Sequence, residues 1–209
     1  MADPTAMFPA LAVVGDEYHP AQQTRDYLRR IAGVSWRFDT DYLPKLHVAG
    51  RDEPALLVLA KANQLTDTDP QPWLTDHAAD ALSRQVAAGI PLLVLHSGLV
   101  GYDGGLDALI GGRFISHPPV GPVRLESSAP ALLDDPIELV DEQYHVELTD
   151  GDSTVFATLT GPDGQPRPAG WRRHYGIGRV CVLTPGHTRS SWENPAFVGW
   201  VRAAIGWLL

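Results

Sequence analysis

One cysteine, Cys181, is the only thiol in 209 residues. No internal disulfide can form, and its RVCVL setting reads as core filler in a buried strand. Basic clusters are also missing. The 16 Lys and Arg face 25 Asp and Glu, and the net charge of −9 is spread along the chain. Nucleic acid and anionic membranes are excluded as partners, because neutralising phosphates takes grouped cations. No apolar run approaches the roughly 18–20 residues of a membrane helix. The opening MADPTAMFPA has neither a basic segment nor an apolar one of the kind that directs secretion. A cytoplasmic protein is expected. There is no repeat, low-complexity tract or linker, so residues 1–10 are expected to form a flexible N-terminal segment and 11–209 a single domain.

What is present is a succession of short apolar runs separated by helix-like stretches. Residues 11–14, 34–38, 55–60 (ALLVLA) and 92–95 read as strands, the third and fourth apolar throughout, as strands covered on both faces are. Residues 20–31 and 75–88 read as helices, followed by Gly33 and Gly89. This βαβαβ alternation predicts a parallel sheet with helices on both faces. The second half differs. After a short helix at 104–110, the segments VRLES, IELVDEQYHVEL and STVFATL are strand-like with no helix between them, so they read as added antiparallel strands or long functional loops. Segments 171–175 and 179–183 flank Gly176-Ile177-Gly178 as a hairpin. A helix at 195–209 carries Phe197, Val201, Ile205 and Leu208 on one face.

Three of the eight histidines stand just past apolar strands: His19 after LAVVGDEY, His96 after LLVL, and His187 after GRVCVLTPG. In an open parallel sheet the carboxyl ends of the strands form the ligand crevice, so the three are expected to converge there. His96-Ser97-Gly98 has the form of a nucleophile elbow, a sharp turn that lifts one side chain into the crevice. Class I glutamine amidotransferases carry a cysteine in such a turn; laid over it, His96 takes the cysteine's place. A cysteine-dependent glutaminase is therefore unsupported, and HSG lacks the spacing of a serine hydrolase. Gly176-x-Gly178 is followed by a strand and cannot be a dinucleotide loop. No HxH or HExxH occurs, so a metal site would need residues from distant strand ends.

Taken in order, GDEYH, VLHSG, LIGGRFISHPP, DEQYHVE, GWRRHYGIGRVCVLTPGH and the terminal NPAFVGWVRAAIGWLL resemble the ThuA-like, trehalose-utilisation family over nearly the whole chain. The resemblance implies an α/β fold like that of class I glutamine amidotransferases: a flavodoxin-like, doubly wound, mainly parallel sheet with added antiparallel strands. It also implies a role in carbohydrate metabolism, by way of 3-keto sugars. The first motif, Gly15-Asp16-Glu17-Tyr18-His19, departs from the commoner Gly-His-rich form, so no role carries over to Asp16 or Glu17.

The preferred reading is an enzyme acting on a sugar or 3-keto-disaccharide by histidine and carboxylate acid–base chemistry, with metal assistance open. His96, His187 and Glu142 are the catalytic candidates. His19, Ser97, Arg113, His117, Tyr144 and Trp171 are candidates for binding substrate. A divalent ion would be held from among His19, His96, Glu142 and His187. A partner oxidoreductase would perform any hydride chemistry, and a homo-oligomer remains open. The alternative is a non-catalytic sugar-binding or assembly protein that keeps the crevice.

Overall fold

The computed structural model describes residues 7–41, 54–64, 66, 68–69, 71–102, 106–129, 135–149 and 151–209. A nine-stranded mixed sheet runs through it. Five strands are parallel neighbours: β2 (Val34–Asp39), β1 (Phe8–Val14), β3 (Leu56–Ala60), β4 (Leu92–Leu95) and β11 (Gly178–Leu183), in that spatial order. Beyond β11 the sheet continues antiparallel through β10 (Pro166–Tyr175), β9 (Thr154–Thr160), β6 (Gly121–Ser127) and β7 (Ile137–Asp141). A two-stranded sheet of β5 (Gly112–Ser116) and β8 (His145–Leu148) stands apart.

Alternate residues of the parallel strands feed two cores, as the period of two requires. Ala12, Val58, Leu93 and Cys181 face α1 (Ala21–Leu28) and α5 (Pro195–Leu208). Val13, Leu57, Val94 and Val182 face α2 (Asp76–Ala87) and the short α3 (Asp107–Ile110). Helices therefore cover both faces. α2 begins where the Thr75 hydroxyl accepts from the Ala78 N–H, and α5 where the Asn194 side chain accepts from Ala196 and Phe197. A last short helix, α4 (Arg189–Glu193), follows β11.

Several sequence-based elements differ from the structure: the helix expected at 20–31 is Ala21–Leu28, and the strand expected at 171–175 starts at Pro166. β1 begins at Phe8, so only residues 1–6 of the expected flexible segment lie outside the described residues. The helix expected at 104–110 reduces to Asp107–Ile110; its residues 104 and 105 lie outside the described residues. GRFIS is a strand, β5. IELVDEQYHVEL is two strands in different sheets, because the chain leaves the main sheet after Asp141 and joins β5 from His145. Among the described residues, no helix is long and apolar enough to cross a membrane.

Candidate functional site: three imidazoles at the carboxyl ends of the parallel strands

β1, β4 and β11 all end on the same side of the sheet, and the turn after each carries one histidine. β4 passes into a 3-10 turn, His96–Leu99, in which His96 takes φ +46°. That left-handed backbone is costly for a side chain with a Cβ, and it lifts the imidazole out of the sheet. Gly98 makes the turn close enough: a Cβ there would lie 2.0 Å from the Leu59 carbonyl oxygen at the end of β3. The elbow expected at HSG is present.

Hydrogen bonds fix the rings. His96 Nδ1 donates to the Thr184 carbonyl at 2.8 Å, leaving Nε2 without a proton. His19 Nδ1 donates to the Asp16 carboxylate at 2.7 Å, so in the neutral ring Nε2 is the bare nitrogen. His96 Nε2 is 3.0 Å from His19 Nε2 and 3.3 Å from His187 Nδ1, which lies 2.9 Å from His19 Nε2. Two bare lone pairs at 3.0 Å repel unless a proton or a cation lies between them. The three histidines are a group that can hold a metal ion. A carboxylate behind one imidazole and a backbone carbonyl behind another are the supports that orient metal-binding histidines. Nitrogens around a tetrahedral zinc, at bonds of about 2.0–2.1 Å, stand roughly 3.3 Å apart, so the ring set needs to open by only a few tenths of an ångström.

The connection from β7 to β8 supplies the other wall. Glu142 Oε2 is 3.5 Å from both His96 Nε2 and His187 Nδ1, and its Oε1 is 3.5 Å from His117 Nδ1. The Tyr144 hydroxyl lies 3.1 Å from His96 Nε2, and the two rings stack with centroids 4.6 Å apart. Adjacent carboxylates in a connection are ordinarily solvated, yet Asp141 and Glu142 are both buried. Asp141 accepts from the backbone N–H groups of Glu142, Gly186 and His187 and from the Ser191 hydroxyl. One carboxylate therefore ties the β7 exit to the loop that carries His187.

Electrostatics separates the groups. Burial, and then the neighbouring His19 and His187, push the His96 imidazole well below its ordinary range, so it is neutral at pH 7. Burial and then the Glu142 charge push the Tyr144 phenol well up, so it stays a proton donor. Burial raises the Asp16 carboxyl, but His19, the Ala62 N–H and Ser97 outweigh it and hold the carboxyl below its usual value. Burial raises Asp141.

Asp16, His19, Glu142, Tyr144 and His187 line a cleft of about 610 Å³, with Ser97, Phe114 and His117 among its walls, within the size range of small-molecule sites; His96 is buried behind it. His19, His96, His187, Glu142, Tyr144, His117 and Ser97 are thus brought together. Trp171 is not: it is wholly buried, and its indole N–H donates to the Ile110 carbonyl, so it is a core residue and cannot stack on a sugar. Arg113 is not: its guanidinium pairs with Glu147 across the β5–β8 ladder. Asp16 and Asp141 are the residues that sequence reasoning missed. Asp16 had a visible signal, three residues before His19 at a strand end. Asp141 had none, since apart from the adjacent Glu142 N–H its partners lie 45 or more residues away. Cys181 is buried among core residues, and its thiol is pushed far up by burial, which removes it from nucleophilic chemistry.

A family model described as ThuA, trehalose utilisation, matches residues 47–208. The match takes in His96, Glu142 and His187 and begins after His19. A solved structure from Bacteroides uniformis ATCC 8492, described as a ThuA-like protein, is 15% identical with a TM-score of 0.75, covering 100% of this chain and 94% of that one. One from Parabacteroides merdae ATCC 43184, described likewise, is 14% identical with a TM-score of 0.74, covering 97% and 90%. Agd3, described as a carbohydrate deacetylase, is 13% identical with a TM-score of 0.65 over 94% of this chain and 32% of its own. At such identities these likenesses concern the fold. None of the curated proteins compared with the chain matches it.

Proposed function

The chain belongs to the ThuA family of trehalose-utilisation proteins, and on that premise we propose that it is an enzyme acting on a 3-keto sugar, with His19, His96 and His187 holding a divalent ion. The observation that carries the reading is the meeting of three imidazole nitrogens, two with tautomers set by Asp16 and Thr184, beside a buried carboxylate on a cleft wall. The parallel strand order is that of the flavodoxin-like arrangement, which supports the amidotransferase-like assignment. A ligand crevice at the carboxyl ends of such a sheet is the general rule.

Bound there, the ion would polarise a sugar carbonyl oxygen. A carbon next to that carbonyl loses a proton more readily, and Glu142 is the group placed to take it. His117, 3.5 Å from the far carboxylate oxygen, orients Glu142. The Tyr144 hydroxyl, kept protonated by burial, donates to oxygen on the substrate. Ser97 supports Asp16, and through it His19. The ketone itself would come from a partner oxidoreductase, since the chain has no dinucleotide loop. His96 is better suited to ligation than to carrying protons, because burial keeps it neutral.

A second reading has its own support. The 2.9 and 3.0 Å nitrogen contacts are hydrogen-bond lengths, and a proton shared by His19 would satisfy them without an ion. In that case His96 and His187 relay protons directly. The test is turnover of 3-oxo-trehalose by protein stripped of metal and then resupplied with zinc or manganese. Activity restored by metal in the parent and absent in Glu142→Gln supports the proposal. Full activity in stripped protein favours the relay. Binding without turnover in every form would mean a non-catalytic sugar-binding protein.

A further inference from the structure

We propose that the second ring of a two-ring substrate lies in a separate cleft that shares only His187 with the first. This rests on the sugar-directed reading above. The second cleft has a volume of about 750 Å³, and His187 lines both. Its other walls come from α1 and from the start of α4, so its chemistry is independent of the histidine group. Gln22 and Gln23 carry amides that both donate and accept, Asp26 accepts, and the Thr188 hydroxyl does either. That mixture suits ring hydroxyls. Val120, on the approach to β6, adds an exposed apolar surface for a ring's CH face.

The charges argue for a neutral ring over an anion. Asp26 pairs with Arg29 at 3.2 Å and accepts from Gln22 at 3.0 Å, and Arg189 pairs with Glu193 at 2.6 Å. Of the charged lining residues Asp26, Arg30 and Arg189, the first and last are thus matched within the protein. Each cleft alone is within the usual volume of a small-ligand site, so one ring leaves the other cleft empty. With a ring in each, the bond joining them would pass His187, whose Nδ1 is 3.5 Å from Glu142.

Calorimetric titration of the metal-loaded protein with 3-oxo-trehalose, which has two rings, and 3-oxo-glucose, which has one, tests this. Gln22 and Asp26 are exposed, so the double variant Gln22→Ala/Asp26→Ala keeps the fold, checked by its melting temperature. Losing two or more hydrogen bonds to hydroxyls should weaken the two-ring sugar about tenfold or more. The one-ring sugar should bind as before. An unchanged two-ring affinity, or equal loss for both sugars, overturns the second cleft while leaving the first intact. Failure of the parent protein to bind either sugar overturns both readings together.

Discussion

The five parallel strands and the antiparallel strands beyond β11 are built differently and bring different groups to one point. β3 and β4 are buried at every residue, while β6 and β7 alternate buried and exposed. The first pattern belongs to strands with helices on both faces, the second to strands with one wet face. The parallel half delivers three imidazoles from three turns, two of them held by Asp16 and the Thr184 carbonyl. The antiparallel half delivers Glu142 and Tyr144 from a single excursion between β7 and β8, fastened by Asp141. The proposal assigns the ion to the parallel half and the proton carrier to the antiparallel half, a division that substitutions can probe.

The largest effect should come from the antiparallel contribution. Glu142→Gln keeps the shape but cannot accept a proton, and turnover should fall by about 10²–10⁴, the usual share of general acid–base catalysis. Bound metal should be unchanged, as measured by elemental analysis beside the rate. If metal is lost as well, Glu142 is a ligand and the division between halves breaks.

Asp16→Asn sharpens the parallel side. Removing the carboxylate behind His19 should weaken metal affinity by about 10–100-fold, as losses behind a ligand do. The pH dependence is also determined. The Asp16 carboxyl is held below its free value, so its stabilisation is complete above about pH 4 and is lost as pH falls through the lowered folded value. Melting temperatures of parent and variant should therefore differ at pH 6 and converge towards pH 2. A constant gap would show that the carboxylate's charge is not what matters.

How far the site could be read from sequence follows the same boundary. ALLVLA, LLVL and GRVCVL declared buried parallel strands by composition alone, and a histidine after such a strand has few places to point. His19, His96 and His187 were legible for that reason. Glu142 and Tyr144 were visible only as residues outside the regular pattern. The break of IELVDEQYHVEL after Asp141 was missed because no Gly or Pro marks it; its one trace is the run Asp141-Glu142-Gln143, which interrupts the alternation there. Trp171 and Arg113 were misplaced because burial and cross-strand pairing depend on partners far along the chain.

Smaller effects are expected away from the site. Trp171→Phe removes the indole donor and leaves the Ile110 carbonyl unpaired, which should cost about 1–3 kcal/mol of stability. KM for a sugar should not move; a rise in KM would return Trp171 to the cleft. Cys181→Ala should cost less than about 2 kcal/mol and leave turnover intact, and a loss of activity would revive a role for the thiol.

The central claim is that three histidines from three parallel strand ends hold one divalent ion. Elemental analysis of purified protein after loading with zinc and removal of free metal tests it most directly, run on the parent and on His96→Gln. The account predicts about one ion per chain in the parent and a large loss in the variant, at equal folded content by circular dichroism. A parent that retains no ion, or a His96→Gln variant that retains as much as the parent, would contradict it.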